Sequence, residues 1–473
     1  MAENKNTGAF VTKLVWAAMV AGAYLITRWL QLSHDQSVAT TVFLSLIFGT
    51  LLFWEFRLAF AFFGLATLLT FNVIDIPHVV EFASLDIILF LVGMMTIIGF
   101  LEDRKFFDQI VEKLAIWVGP KAYRFMTVMM IAAAVSAALV DEVTSIMFMM
   151  TTLLIFLKKA RVSAIPFVMM IVFATNIGSS ATVVGNPVGV LIAMKAHLSF
   201  FDFLRWATPI SLIGVAALIP LSFLIFRKPL QELDKNLKEQ HVYEHVEKIE
   251  EESEKRYGSE LPLAWTIFGL TILGLVFHSQ LEHLVGLPKN TLLIGVALFM
   301  AGLCLFLSGH KARDLIEKRV DWWTLAFFLI LFASVGTLKY VGVTDLLAEW
   351  IVSISGGNTL FVFLLVAGVV AILTAFMDNI LAVATFIPIV SSLALQGFEA
   401  SPLWWGMLFG GTFFGNATLI GSTANIVAAG MMEKRGAGKF TFMVWIVPGV
   451  MVSVITLMIA LALLYFQIPL MTL

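Results

Sequence analysis

The stretch that decides the organisation of this chain occurs in it twice. Residues 201–209 read FDFLRWATP and residues 440–448 read FTFMVWIVP, so that Phe, Phe, Trp and Pro recur after 239 positions. Polar residues recur at offsets of 235 to 240: Asp86 with Asp321, Asp141 with Asp378, Asn176 with Asn416, and Asn186 with Asn425. The chain therefore contains two homologous halves.

The composition places both halves in a membrane. Of 473 residues, 60% are hydrophobic and 13% are charged, and the mean hydropathy is +0.95, whereas soluble domains are about 45–50% apolar. A net charge of −2 gives no reason to expect a nucleic-acid partner, and the single cysteine, Cys304, excludes an intramolecular disulfide or a thiolate metal cluster. Two homologous halves in so apolar a chain are typical of secondary transporters, whose substrate binds where the repeats meet.

The lengths of the apolar stretches predict the topology. A helix needs about 20 apolar residues to cross about 30 Å of hydrocarbon, and this measure predicts an all-α polytopic membrane protein with about eleven transmembrane helices. The predicted spans are residues 13–30, 37–54, 58–75, 84–101, 165–193, 207–226, 262–279, 291–307, 322–341, 403–431 and 441–467.

Two apolar stretches, residues 125–156 and 360–395, are too long for one span and too short for two spans joined by a loop. Each carries polar residues at its middle, an Asp-Glu pair beginning at Asp141 in the first and an Asp-Asn pair beginning at Asp378 in the second. We predict that both are re-entrant hairpins, which enter the membrane to mid-depth and leave on the same side.

Basic residues indicate which way the hairpins open. The first is flanked by five Lys or Arg residues between positions 121 and 161, and the second by none within 353–359 or 396–403. Under the positive-inside rule, the first hairpin opens to the cytoplasm and the second to the outside. We therefore expect a multi-pass protein of the inner (plasma) membrane with a cytoplasmic N-terminus and an external C-terminus.

The repeat then divides the chain. We expect residues 1–36 to form an extra N-terminal transmembrane helix, 37–226 the first repeat, 227–260 a charged cytoplasmic connector, and 261–473 the second repeat. Each repeat has five spans and one hairpin. Because five is odd, the two copies must lie inverted in the membrane.

In each half, the span after the hairpin is rich in residues that break helices. Residues 175–189 read TNIGSSATVVGNPVG, and residues 415–425 read GNATLIGSTAN. Lipid cannot satisfy the backbone groups of an unwound helix, so these stretches either line a cavity or, in the alternative, pack closely inside the protein. The residues predicted to line a substrate site are Asn176, Ser179, Thr182, Asn186, Asn379, Asn416, Thr418, Ser422, Thr423 and Asn425.

Acidic residues at membrane depth indicate a functional site more strongly than the helix breaks do, because inserting one into the membrane costs about 2.5–3.5 kcal/mol. We predict that Asp141 and Asp378 bind the coupling ion, either a proton or Na⁺, and that Glu142 adds another acid. Adjacent residues do not share a helix face, so only one of Asp141 and Glu142 should face the cavity. In the alternative, Glu142 only caps a helix N-terminus.

Basic residues are missing from the same region. No Lys or Arg occurs within 125–157, 165–194, 358–396 or 403–432. A site for dicarboxylates or phosphates would gain from a guanidinium group, so their absence favours a cation, a proton, or a neutral or weakly charged substrate. Helix dipoles alone can nevertheless hold an anion.

At these residues the chain resembles the ion transporter superfamily, in the branch of arsenite permeases, sodium/proton antiporters, citrate-type transporters and the melanosomal P protein. The resemblance runs from about residue 86 to the last span and rests on residues 89–95, 141–144, 175–178, 377–380 and 415–425. It implies a homodimer of inverted-repeat protomers, each with a scaffold and a moving transport domain that holds two hairpins. Two departures from the family pattern are Glu142, where an Asn is usual, and NPVG at 186–189, where Asp-Pro-Pro-Asn is common.

We therefore expect a secondary active transporter and not an enzyme, with no cofactor beyond a coupling ion such as Na⁺. It would export a small inorganic ion or metalloid across the lipid bilayer, as in arsenite or antimonite efflux or sodium/proton antiport, by an elevator-like movement. The alternatives are a sodium-coupled di- or tricarboxylate transporter of the citrate type and an anion channel. The hypothesis of an intramembrane enzyme is supported only by the sequence HVYEH at 241–245, which matches a zinc-peptidase pattern but lies in a polar loop. His78, His278 and His283 are expected in external loops as polar caps.

Overall fold

A computed structural model describes residues 2–118, 121–239 and 260–471, and every regular element in them is helical. The all-α polytopic fold is confirmed. The helices are α1 Ala2–Trp29, α2 His34–Leu52, α3 Arg57–Thr70, α4 Ile76–Phe82, α5 Leu85–Asp103, α6 Phe106–Val118, α7 Ala122–Leu139, α8 Glu142–Ala160, α9 Ile165–Gly178, α10 Pro187–Ala196, α11 Phe200–Asp202, α12 Thr208–Ile225, α13 Arg227–Glu239, α14 Leu261–Val285, α15 Thr291–Ser308, α16 Ala312–Arg319, α17 Trp322–Tyr340, α18 Val343–Ser355, α19 Thr359–Phe376, α20 Asn379–Leu395, α21 Ala400–Phe413, α22 Thr423–Lys434 and α23 Phe442–Met471.

Ten helices in the described part of the chain are long and apolar enough to cross a membrane. These ten helices do not all coincide with the eleven spans predicted from the sequence. Three arms of the predicted hairpins, α7, α8 and α19, count among them with 18 or 19 residues each. The predicted span 58–75 is represented only by α3, which has 14 residues. The position of the hairpins relative to the lipid stays a prediction.

The chain separates into two compact units, and each draws on both predicted repeats. The repeat boundaries therefore stay a prediction. The first unit comprises residues 1–88, 321–365 and 384–400, and the second comprises residues 89–320, 366–383 and 401–473. All predicted site residues belong to the second unit.

In the first unit, a buried arginine joins α3 to α17. Arg57 is 7% exposed, and its Nη2 donates a hydrogen bond to Thr324 Oγ1 at 2.9 Å. The rings of Trp54 and Phe327 lie 4.4 and 5.2 Å from its guanidinium carbon. The hydrogen bond and the two cation–π contacts compensate a charge that burial would otherwise penalise.

In the second unit, close packing depends on a small residue. A Cβ atom added to Gly178, the last residue of α9, would overlap the backbone of Ala134 in α7. Glycine at this position lets the backbones of α7 and α9 approach closely, as small residues do between membrane helices.

The expectation of an external loop is wrong for His278. This residue lies inside α14, is fully buried, and has Nδ1 2.8 Å from the carbonyl oxygen of Leu275. The predicted span 262–279 already contained His278, so a loop position conflicted with that span, and α14 continues a further six residues to Val285. His283 also lies in α14, and His78 lies in α4. The HVYEH pattern at 241–245 falls outside the described residues.

Candidate functional site

Both predicted helix breaks are present in the structure. After α9 ends at Gly178, the chain forms short 3-10 turns and resumes an α-helix only at Pro187. After α21 ends at Phe413, one 3-10 turn precedes α22, which begins at Thr423. Backbone groups in these breaks have no partner within a helix, so other groups must satisfy them.

Each predicted hairpin turns at its aspartate. Asp141 is the N-cap of α8, and its Oδ1 accepts the N–H groups of Val143 and Thr144 at 2.8 Å each. Across the same corner, the hydroxyl oxygens of Ser136 and Ser145 are 2.5 Å apart, which joins α7 to α8. Short polar side chains at an N-cap satisfy otherwise free N–H groups, so Asp141 fixes where α8 begins.

A threonine ties each broken helix to its hairpin in the same way. Thr182 Oγ1 donates to the carbonyl oxygen of Ala138, three residues before Asp141. Thr418 Oγ1 donates to the carbonyl oxygen of Ala375 at 2.6 Å, three residues before Asp378. The two halves of the chain thus build their hairpin corners with matching contacts.

Glu142 joins both halves. Its side chain is 1% exposed, its Oε2 lies 3.2 Å from Ser179 Oγ, and its Oε1 lies 3.2 Å from Ser422 Oγ and 3.5 Å from Asn379 Nδ2. These three partners come from the two breaks and from the second hairpin. All are neutral, so none offsets the charge of an ionised carboxylate.

Asp378 lies beside this group. It is 3% exposed; its Oδ1 accepts the N–H of Ile380 at 3.0 Å, and its Oδ2 accepts the hydroxyl of Thr423 at 2.7 Å. The next residue, Asn379, is 1% exposed and has a buried Oδ1 with no hydrogen-bond partner. A buried acceptor without a donor is uncommon in proteins, which makes this oxygen a candidate ligand for an ion or a water molecule.

Asparagines from both halves form a second network. Asn176 Nδ2 donates to Asn416 Oδ1 at 2.7 Å and to Asn425 Oδ1 at 2.8 Å, and Asn176 Oδ1 lies 3.1 Å from Ser422 Oγ. Asn425 Nδ2 in turn donates to the carbonyl oxygens of Gly415 and Thr418, both at 2.8 Å. The repeat partners Asn176 and Asn416 therefore contact each other directly.

Asn186 completes the first break. Its Oδ1 accepts the N–H of Gly189 at 2.6 Å, which makes it the N-cap of α10, and its Nδ2 donates to Ser179 Oγ at 2.8 Å. Because Ser179 also contacts Glu142, a single chain of side-chain contacts runs from α10 to α8. The structure thus connects most of the predicted residues, while Asp141 bonds only groups of its own corner, and the hydroxyls of Thr182 and Thr418 bond only backbone carbonyls.

Sequence reasoning did not select Trp445 as a site residue. Its indole N–H donates to the carbonyl oxygen of Asn416 at 3.0 Å, and its ring meets Phe173 edge to face at 5.7 Å between centroids. It therefore satisfies a carbonyl in the second break. The sequence feature that could have indicated it is the repeat itself, because Trp206 occupies the corresponding position in the first copy.

Buried acids and two matched broken helices, within an all-α polytopic chain, are the architecture of a secondary transporter. The profile of the citrate transporter family matches residues 50–410 and 342–472, so this chain belongs to that family. It is a membrane-integral secondary transporter and not an enzyme.

Relatives support this assignment. The chain is 32% identical over 382 residues to an uncharacterized transporter of Mycobacterium bovis, covering 79% of this chain and 84% of the relative. It is 26% identical over 437 residues to the P protein of Homo sapiens, covering 78% of this chain and 52% of that protein. The predicted resemblance to this superfamily is confirmed.

A solved structure shares the fold. The YdaH transporter of Alcanivorax borkumensis superposes with a TM-score of 0.57 at 18% identity, covering 86% of this chain and 89% of that one. At this identity the likeness concerns the fold alone.

Proposed function

We propose that this secondary transporter is driven by a proton or sodium gradient and exports a small inorganic ion or metalloid. The observation that carries the proposal is Glu142, which is buried among neutral partners next to the unpartnered Oδ1 of Asn379. A buried carboxylate needs either a proton or a bound cation to be neutral. Oxygen ligands of this kind are also the ones that hard cations prefer.

The acids have different roles in this proposal. Glu142 and Asp378 take up the proton or Na⁺, because both carboxylates are buried and lie next to the two breaks. Asp141, which the sequence predicts to bind the coupling ion, has a positioning role in this proposal instead, because it caps α8 and so holds Glu142 at the first helical position. The Asn, Ser and Thr side chains of the two breaks would bind the substrate with hydrogen bonds that suit neutral or weakly charged species.

Movement of the site is part of the proposal. The hairpin corners and broken helices are bonded to each other through Glu142, Asn176 and the two threonines, and they lie in one compact unit. A group connected in this way would move as one body, as in an elevator-like cycle. A homodimeric scaffold, as in the superfamily that the chain resembles, would provide the fixed part.

The test is transport by the purified full chain in liposomes. Arsenite, sodium, chloride and citrate are offered under imposed pH or sodium gradients, and uphill accumulation separates a transporter from a channel. We expect Glu142→Gln and Asp378→Asn to fold but to lose gradient-driven flux. Glu433→Gln is the matched control, because it removes an exposed acid whose partner is Lys439. Full transport by both site variants would remove the acids from the mechanism.

The second candidate is a sodium-coupled di- or tricarboxylate transporter of the citrate type, favoured by the family profile. Since the segments that carry the site, residues 125–157, 165–194, 358–396 and 403–432, contain no Lys or Arg, the negative charge of citrate would have to be balanced by co-transported cations. Citrate-stimulated sodium uptake in the same liposomes would favour this candidate, and arsenite or sodium efflux without citrate would favour the first.

We also propose an inner (plasma) membrane location with a cytoplasmic N-terminus and an external C-terminus. The support is the distribution of Lys and Arg around the predicted hairpins. Single cysteines introduced by Glu3→Cys or Thr472→Cys in a Cys304→Ala background would test this in intact cells. A membrane-impermeant maleimide should label Thr472→Cys and leave Glu3→Cys unlabelled until the cells are permeabilised. The reverse pattern would invert the proposed orientation.

A further inference from the structure

A cavity with a basic lining lies at the opposite end of α8 from Glu142. Its volume is about 580 Å³, and it lies where α8 and α22 end, with walls that include Leu154, Ile155 and Val162. Its charged lining consists of Lys158, Arg161 and Arg435, with no acidic residue. All these residues belong to the second compact unit.

The three cations have no acidic partner among the described residues. Nearby basic residues do find one, since Lys439 Nζ lies 3.0 Å from Glu433 Oε1. Arg435 is held by Thr151 instead, with its Nη2 donating to Thr151 Oγ1 at 3.0 Å. A guanidinium has five N–H donors, so most of them stay available to a ligand.

The start of α9 adds to the positive potential. Ala164, which lines the cavity, is the N-cap residue of this 14-residue helix and provides no side-chain cap. The first N–H groups of a helix carry a partial positive charge and bind anions readily; in α9 these are the N–H groups of Ile165 and Phe167, since Pro166 between them has none. The cations and this helix end therefore face the same space.

We propose that this cavity binds a phosphate group, carried by either an anionic phospholipid or a free phosphate compound. Basic residues at span ends often serve only to orient a membrane protein, but that role requires neither a cavity nor the absence of acids. A phosphate group offers more acceptor oxygens than a carboxylate does, which suits donors from three side chains. The apolar wall next to the cations suits the first methylene groups of a lipid's acyl chains, while the cations suit its headgroup, as in other basic pockets between membrane helices.

The experiment is native mass spectrometry of the detergent-purified full chain, titrated with phosphatidylglycerol, phosphatidylcholine or inorganic pyrophosphate. The variant pair Lys158→Gln/Arg435→Gln removes two lining charges. The control pair Lys159→Gln/Lys434→Gln removes two charges from neighbouring exposed residues that do not line the cavity. Both pairs change the net charge equally, and binding is measured without any transport assay.

We expect wild type and the control pair to bind phosphatidylglycerol or pyrophosphate in preference to phosphatidylcholine. The lining pair should bind at least about tenfold more weakly, since charge-assisted hydrogen bonds are lost. Thr151→Val, which keeps the charge but removes the side-chain one of the two hydrogen bonds from Arg435 to Thr151, should weaken binding by roughly threefold. Binding of phosphatidylglycerol alone identifies a lipid site, and displacement by pyrophosphate identifies a site for free phosphate compounds. Equal losses in both pairs, or no preference over phosphatidylcholine, would overturn the proposal.

Discussion

Asn176 offers the most direct test of the site's architecture, because one side chain joins both halves of the chain. In Asn176→Ala, the amide oxygens of Asn416 and Asn425 lose the donor that now lies 2.7 and 2.8 Å away. Both acceptors belong to fully buried residues. Leaving a buried acceptor unpaired costs about 1–3 kcal/mol, so the variant should lose about 2–6 kcal/mol of unfolding free energy.

The control is Asn236→Ala. Asn236 Nδ2 also donates one hydrogen bond, to the carbonyl oxygen of Ala160 at 2.9 Å, but the residue is only half-buried and water can replace the donor. Its loss should cost about 0.5–1.5 kcal/mol. Unfolding by sodium dodecyl sulfate in mixed micelles, followed by tryptophan fluorescence, measures both variants.

The double variant Asn176→Ala/Asn416→Ala refines the test. If the two side chains interact, its cost should fall short of the sum of the single costs by at least about 0.5 kcal/mol. The reasoning is refuted if Asn176→Ala is no more destabilising than Asn236→Ala, or if the two single costs simply add.

Two further predictions concern stability. Gly178→Ala should destabilise the protein, because the added Cβ would overlap the backbone of Ala134. Gly302→Ala, whose added Cβ meets open space on a helix, should instead stabilise the protein by up to about 1 kcal/mol. The same micelle assay measures both variants, and equal effects would contradict the close packing at Gly178. The backbone N–H and side chain of His78 hydrogen-bond to Asp75 and lower its pKa below 3.8. Because the folded-state pKa is lowered, this contribution is present above pH 3.8 and is lost as the pH falls through the lowered value. Thermal unfolding of Asp75→Asn against pH should therefore converge on wild type in acid, and a constant difference would refute the assignment.

The site could be predicted only in part. Asn176 and Asn416 were recognisable because they recur at matching places in two helix breaks, and the structure places them 2.7 Å apart. The contact from Trp445 to the Asn416 carbonyl was not predictable, because a repeated tryptophan fits general packing equally well. The basic cavity could not be predicted from the sequence either, because Arg161 and Arg435, which both line it, are 274 positions apart in the chain.

The sequence by itself determined the class of protein, since apolar length, paired breaks and buried acids leave few alternatives to a membrane transporter. Only the tertiary structure decided which of two adjacent acids faces the other half of the chain. Side chains that follow each other on a helix point in directions about 100° apart, but the absolute direction depends on where the helix begins. Asp141 caps α8 and Glu142 is its first residue, so Glu142 meets Ser179 and Ser422.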